Sequence, residues 1–146
     1  MSYPILLILH LLAAFVFIGT VFFEILFLSN IRHRLPKETM RLVEKEVGVR
    51  ARQIIPWILL ILFGAGLSMA YFHRAALAQP FVNPFGTLLG LKILLALSVL
   101  GHFFTVMFLR KTSRLTGKLS HRLHISVFCH VILIVILAKS MFYIHW

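Results

Sequence analysis

Residues 83–102 read NPFGTLLGLKILLALSVLGH, a helix start followed by an apolar run with one lysine set inside it. Asn83 is a good N-cap, because its side-chain oxygen can accept from the free N–H groups of a first turn. Pro84 suits the first helical position, having no N–H to leave unpaired. Gly86 and Gly90 form a GxxxG step and Gly101 falls near the same face, so the spacing predicts close approach of a neighbouring helix. At about 100° per residue, Lys92 lies on roughly the opposite side. A charge at that depth is costly unless it snorkels to the surface, finds a partner or does chemistry.

The whole chain fits a lipid setting. Of its 146 residues 60% are hydrophobic and only 13% charged, with a mean hydropathy of +0.96. A water-soluble domain of this length exposes far more charge, so the composition specifies an integral membrane protein. The formal charge of +11 raises nucleic acid as a partner. However, twelve of the fifteen Lys and Arg residues fall in two polar stretches between apolar runs, as topology signals do. With no soluble basic face, no nucleic-acid partner is expected. The single cysteine, Cys129, lies in an apolar run, so it forms no intrachain disulfide and does not report a redox compartment. The first apolar run lacks a basic leader and is too long for a signal-peptide core, so it reads as a retained span.

Four spans are predicted, at residues 4–28, 54–72, 85–109 and 123–144, each long enough to cross about 30 Å of hydrocarbon at about 1.5 Å per residue. The polar stretch 29–53 holds seven basic and three acidic residues, and 110–122 holds five basic residues and no acid. The stretch 73–84 has only Arg74. By the positive-inside rule, the first and third connections are cytoplasmic and both termini lie on the other side. The expected fold is all-α: one membrane domain over residues 1–146, an antiparallel four-helix bundle. Over 36–52 and the preceding Leu35, the apolar residues Leu35, Met40, Leu42, Val43 and Val47 lie among charges, so this part is expected to prolong a helix beyond the bilayer or to lie on its surface.

Folding each hairpin at the middle of its polar stretch sorts the unusual residues into two layers. The outer layer, away from the cytoplasm, takes His10, Met69, His73, Lys92, Lys139, Met141 and His145. Met69–His73 and Met141–His145 share an i,i+4 spacing, which on a helix offers a thioether and an imidazole from one stripe. That donor pair suits copper, Cu(I) above all. With His10 added, three helices can converge on a soft-metal site. The competing reading is that methionines fill the bundle and terminal histidines sit among headgroups.

The inner layer takes Glu24, His102, His124 and His130. His102 and His130 are expected level with one another, an arrangement able to grip a haem iron from two sides. His10, Ala14, Phe17, Val21 and Glu24 line one stripe, expected to face the bundle interior, and Glu24 is a candidate partner for Arg32 or Arg110. Lys139 lies opposite His130 on its helix and can snorkel outward. Lys92 is the more informative lysine, a candidate holder of an anionic group. No phosphate loop, nucleophile elbow or CxxC is present, and Glu24 is the only carboxylate inside a span, which excludes carboxylate-pair chemistry. A non-enzymatic role is favoured; any activity would be that of a haem-dependent oxidoreductase.

The run from Asn83 to Lys92 resembles the TPYGRLLLLK signature of the copper resistance protein D (CopD) family. Leu9-His10-Leu11-Leu12-Ala13-Ala14, followed by Phe17-Ile18-Gly19, is similar to the LHLLAA…WVGG opening of the same proteins, with Phe17 where tryptophan is common. The resemblance implies a multi-pass protein of the bacterial inner membrane that takes part in copper handling, with His10 and Lys92 at matching positions. Copper, delivered as the ion or by a periplasmic carrier, is the implied cofactor or cargo, and a homo-oligomer is compatible with it. More distantly, the chain resembles the four-span HemJ-type protoporphyrinogen oxidases, which bind haem b and share the first-span histidine and third-span lysine. His121-Arg122-Leu123-His124 stands where that family has an arginine–phenylalanine–asparagine–glutamate stretch. Haem b, through His10 and Lys92 or through His102 and His130, is therefore the alternative cofactor. A membrane partner subunit without a cofactor is the third reading.

Overall fold

The computed structural model describes residues 2–144, and among them the chain is helical without strands. Four long helices are present: α1 (Tyr3–Ile31), α2 (Lys37–Phe72), α4 (Pro84–Lys111) and α5 (Gly117–Ser140). A short helix, α3 (Arg74–Leu77), precedes α4. All four long helices are long and apolar enough to cross a membrane.

The helices overrun the predicted spans on their polar sides. Helix α2 starts at Lys37, so that the stretch 37–52 prolongs the helix beyond the predicted span, the first of the two expectations for it, and the helix runs for 36 residues, about 54 Å. Lys, Glu and Arg are good helix formers, so polarity ends a membrane span without ending a helix. The basic connections shrink accordingly to residues 32–36 and 112–116. At the other end, α5 stops at Ser140, four residues short of the expected span.

The chain divides into two compact units, Met1–Phe72 and His73–Trp146. In the first, α1 packs along α2. Tyr3 meets Phe72 edge-on at 5.6 Å, His10 meets Leu62 and Gly66, and Arg32 forms an ion pair with Glu44. Partners therefore climb in α1 as they descend in α2. Leu6, Ala13, Phe17 and Leu28 form the buried stripe of α1. Ala14, Val21 and Glu24 are half-buried beside them. Between Phe23 and Leu28 the helix widens into a π-turn, with the Ser29 N–H donating to the Glu24 carbonyl.

In the second unit α4 packs along α5, and α3 lies on the start of α4. Asn83 caps α4 as expected, its Oδ1 accepting from the N–H groups of Phe85 (3.1 Å) and Gly86 (3.4 Å). Asn83→Ala is expected to cost about 1 kcal/mol, read as a lower thermal midpoint with α4 otherwise helical. The GxxxG step is used, but by α3. A Cβ on Gly86 would stand 2.1 Å from the Ala76 carbonyl oxygen, and one on Gly90 would touch only the Leu77 side chain at 3.9 Å. Gly101 faces open space.

Each unit has a thin buried seam, and most apolar side chains point away from it. Phe15 is 77% exposed and Leu94 66%. Surfaces this apolar and this continuous call for lipid or for further helices around them.

Candidate functional site

The candidate in the first unit is built around His10, two turns into α1 and half-buried between Leu6 and Phe17. Its Nδ1 lies 2.9 Å from the Leu62 carbonyl oxygen. A carbonyl only accepts, so Nδ1 carries the hydrogen and a neutral ring keeps its lone pair on Nε2. The ring fits because the next turn of α2 presents a glycine. A Cβ on Gly66 would stand 3.0 Å from Cε1 and 3.1 Å from Nδ1 of His10. Imidazoles that ligate metals commonly have one ring nitrogen anchored to a carbonyl in this way.

Leu62 and Gly66 belong to a stripe of α2 that continues through Met69, which is half-buried. Met69 thus lies one turn from the glycine that touches His10. The register differs from expectation. His10 was expected level with residue 72, but Phe72 pairs with Tyr3, seven residues before His10. Folding the hairpin at the centre of 29–53 misplaces the turn, because the real one is at 32–36 and α2 occupies the rest. Arg32, a candidate partner for Glu24, is held by Glu44.

The remaining outer-layer residues belong to the second unit. Helix α2 ends at Phe72, and His73 caps α3. The Met69–His73 spacing therefore crosses a helix end. The His73 ring lies 5.3 Å from Phe85, and Phe85 lies 5.6 Å from Phe142. This brings His73 to the same end of the unit as the turn that holds buried Met141. Met141 is the C-cap of α5, and the expected Met141–His145 pair is not placed, because His145 lies outside the described residues.

Lys92 lies seven residues from both Phe85 and Val99, on one stripe of α4, and is half-buried. No hydrogen bond or ion pair reaches it among the described residues. Lys139 is exposed, as a snorkelling lysine would be. The pairs Phe85–Phe142 and His102–Ser126 set the register of α4 against α5, which places Lys92 opposite about residue 136, one turn from Lys139.

The same one-turn shift reshapes the inner histidine pair. His102 and His130 do not stand level. Each faces a serine one turn before the other histidine. The His102 Nδ1–H donates to its own helix at the Ser98 carbonyl (2.7 Å), and its Nε2 accepts from the Ser126 hydroxyl (2.9 Å). His130 mirrors this, with Nδ1–H to the Ser126 carbonyl (2.7 Å) and Nε2 accepting from the Ser98 hydroxyl (3.2 Å). The ring centroids are 5.3 Å apart. Every polar hydrogen of the quartet is used, and the two Nε2 atoms are drawn toward opposite serines. Gripping one iron would require breaking both serine bonds. The signal for this cluster is a repeated Ser-x3-His, at 98/102 and 126/130; the signal for the His10 notch is Gly66 alone.

Among the described residues, no cluster of three or more His, Cys, Asp or Glu side chains forms a metal site. Comparison with protein-family models, curated proteins and solved structures finds no match for this chain.

Proposed function

We propose that the chain is a CopD-like protein of the bacterial inner membrane that binds copper and takes part in copper transport or homeostasis. In this reading the helices form an antiparallel four-helix bundle with both termini on the non-cytoplasmic side, where copper arrives as the ion or from a periplasmic carrier. The observation that carries it is the anchored imidazole of His10, whose Nδ1–H is committed to the Leu62 carbonyl. Met69, one turn further along the same stripe of α2, supplies a thioether, and imidazole with thioether favours a soft ion such as Cu(I). His73, Met141 and His145 are the further candidate ligands, with Lys92 as a charge that tunes or gates the site.

Copper and iron per chain, measured together on detergent-purified protein, test the reading. Copper without iron is expected, lost in His10→Ala while the helix content is kept. Copper retained at the wild-type level in His10→Ala overturns it, and copper unaffected by Met69→Ala with Met141→Ala removes the thioethers from the site. Gly66→Ala is expected to lower copper content several-fold, because the added methyl occupies the place of the imidazole.

Haem b is the second reading, favoured by Lys92. A half-buried ammonium with no partner among the described residues suits a cofactor that carries carboxylates. Iron near one per chain with a Soret band that disappears in His10→Ala would favour it over copper.

A further inference from the structure

We infer that the turn joining α4 and α5 binds the headgroups of anionic phospholipids. Helix α4 ends in Arg110 and Lys111, and after only five residues α5 begins. The turn is tight: Ser113 takes a positive φ of 54°, and the N–H groups of Arg114 and Leu115 both return to the Leu109 carbonyl, at 2.8 and 3.2 Å. Thr116 then caps α5, its hydroxyl accepting from the Leu119 N–H at 3.3 Å. This geometry gathers Arg110, Lys111, Arg114, Lys118 and Arg122 at one end of the helix pair, all of them exposed. Lys118 and Arg122 are one turn apart on the same side of α5.

Nothing within the unit neutralises them. Residues 73–146 contain eight lysines and arginines and no acid, since all four glutamates lie before residue 73. No hydrogen bond or ion pair from these five side chains occurs among the described residues. The basic stretch of the first unit differs. There Glu38, Glu44 and Glu46 are interspersed with the cations, and Arg32 already holds Glu44.

Position selects the partner. The cluster starts where the apolar face of α4 ends at Leu109 and stops where that of α5 begins at Leu123. In a bilayer that is the depth of the headgroups, where lysines and arginines attract anionic lipid. Guanidinium groups bind phosphate oxygens in a bidentate fork, and a phosphodiester next to a glycerol backbone keeps its acyl chains against the apolar helices.

The test is native mass spectrometry of the full chain released from nanodiscs of phosphatidylcholine with or without phosphatidylglycerol. Retention of phosphatidylglycerol over phosphatidylcholine is expected by about tenfold or more, falling steeply with salt. Arg114→Gln with Lys118→Gln and Arg122→Gln is expected to lose the preference. Lys37→Gln with Arg41→Gln and Lys45→Gln, and the charge-preserving Arg114→Lys with Arg122→Lys, are expected to keep it. Equal retention of the two lipids, or a preference that survives the triple Gln variant, overturns the inference. Displacement of the lipid by millimolar inorganic phosphate would identify a free-phosphate site and overturn it as well. If the triple variant does not fold, the wild-type salt titration decides, and salt-insensitive retention counts against the lipid site.

Discussion

Replacing Gly86 by alanine is expected to unseat α3 and to lower the thermal unfolding midpoint more than the same change at any other glycine of α4. The added Cβ would stand 2.1 Å from the oxygen and 2.7 Å from the carbon of the Ala76 carbonyl, and 3.4 Å from the Leu77 nitrogen. Carbon atoms pack at about 3.5–4 Å, so the overlap is severe. All three atoms are backbone, and no side chain can rotate to relieve it. Either α3 moves off or the first turn of α4 leaves its Asn83 cap. Overpacking costs about 1–3 kcal/mol and occasionally more, and a backbone clash belongs at the upper end. Gly90→Ala and Gly101→Ala are the controls. The first meets only a side-chain carbon at 3.9 Å and the second nothing within 4 Å. In a helix interior alanine is favoured over glycine by about 1 kcal/mol, so neither control should lower the midpoint. Thermal unfolding in detergent reads the midpoint, and tryptic cleavage after Arg74 reads the release of α3. A midpoint for Gly86→Ala equal to that of Gly90→Ala would show that α3 does not rest on this glycine.

That glycine also shows how far the residues alone can be read. GxxxG announces a notch, and the notch exists, but its occupant is a four-residue helix that no hydrophobic periodicity can reveal. The four spans were legible because lipid demands both length and apolarity. The prolongation of α2 over 37–52 was one of two expectations for that stretch, whereas the early start of α5 at Gly117 was not expected, because lysine and arginine continue a helix that the bilayer no longer needs. The signals that do stop and start the helices are local: Pro36 just before α2, and Thr116 with Gly117 at the start of α5. Placing the second turn by Thr116 and Gly117, rather than by the centre of its charged stretch, gives the observed pairing of His102 with Ser126, whereas in the first unit the pairing of Tyr3 with Phe72 falls between the two placements. The π-turn at Phe23–Leu28 has no counterpart in the residue pattern. His10 was legible as a polar side chain on an inward stripe. Its anchor was not, since any carbonyl can serve and the Leu62 side chain says nothing about its backbone.

The serine–histidine quartet yields the other large effect, and its size follows from the way the bonds are shared. His102→Ala removes two hydrogen bonds, one to the Ser98 carbonyl and one from the Ser126 hydroxyl, together with the ring contact to His130. The stranded Ser126 hydroxyl can turn to the carbonyl four residues back on its own helix, which limits the loss. We expect roughly 1–2 kcal/mol for His102→Ala and a similar figure for His130→Ala. The double change should cost less than the sum, because the ring contact is removed by either one alone. Ser98→Ala and Ser126→Ala should each cost less than a histidine change, since each removes only the hydroxyl bond and leaves the serine carbonyl in place. A strictly additive cycle would mean that the two halves stabilise the helix pair independently. Copper and iron content of the same variants separates this clasp from a haem site. A clasp between α4 and α5 leaves any metal held at His10 in place when His102 is changed. A haem held between the two imidazoles would be lost with either histidine, and removing the serine hydroxyls that compete for Nε2 would strengthen its binding. Stability that falls while metal content holds assigns His102 and His130 to the packing of one helix against the other.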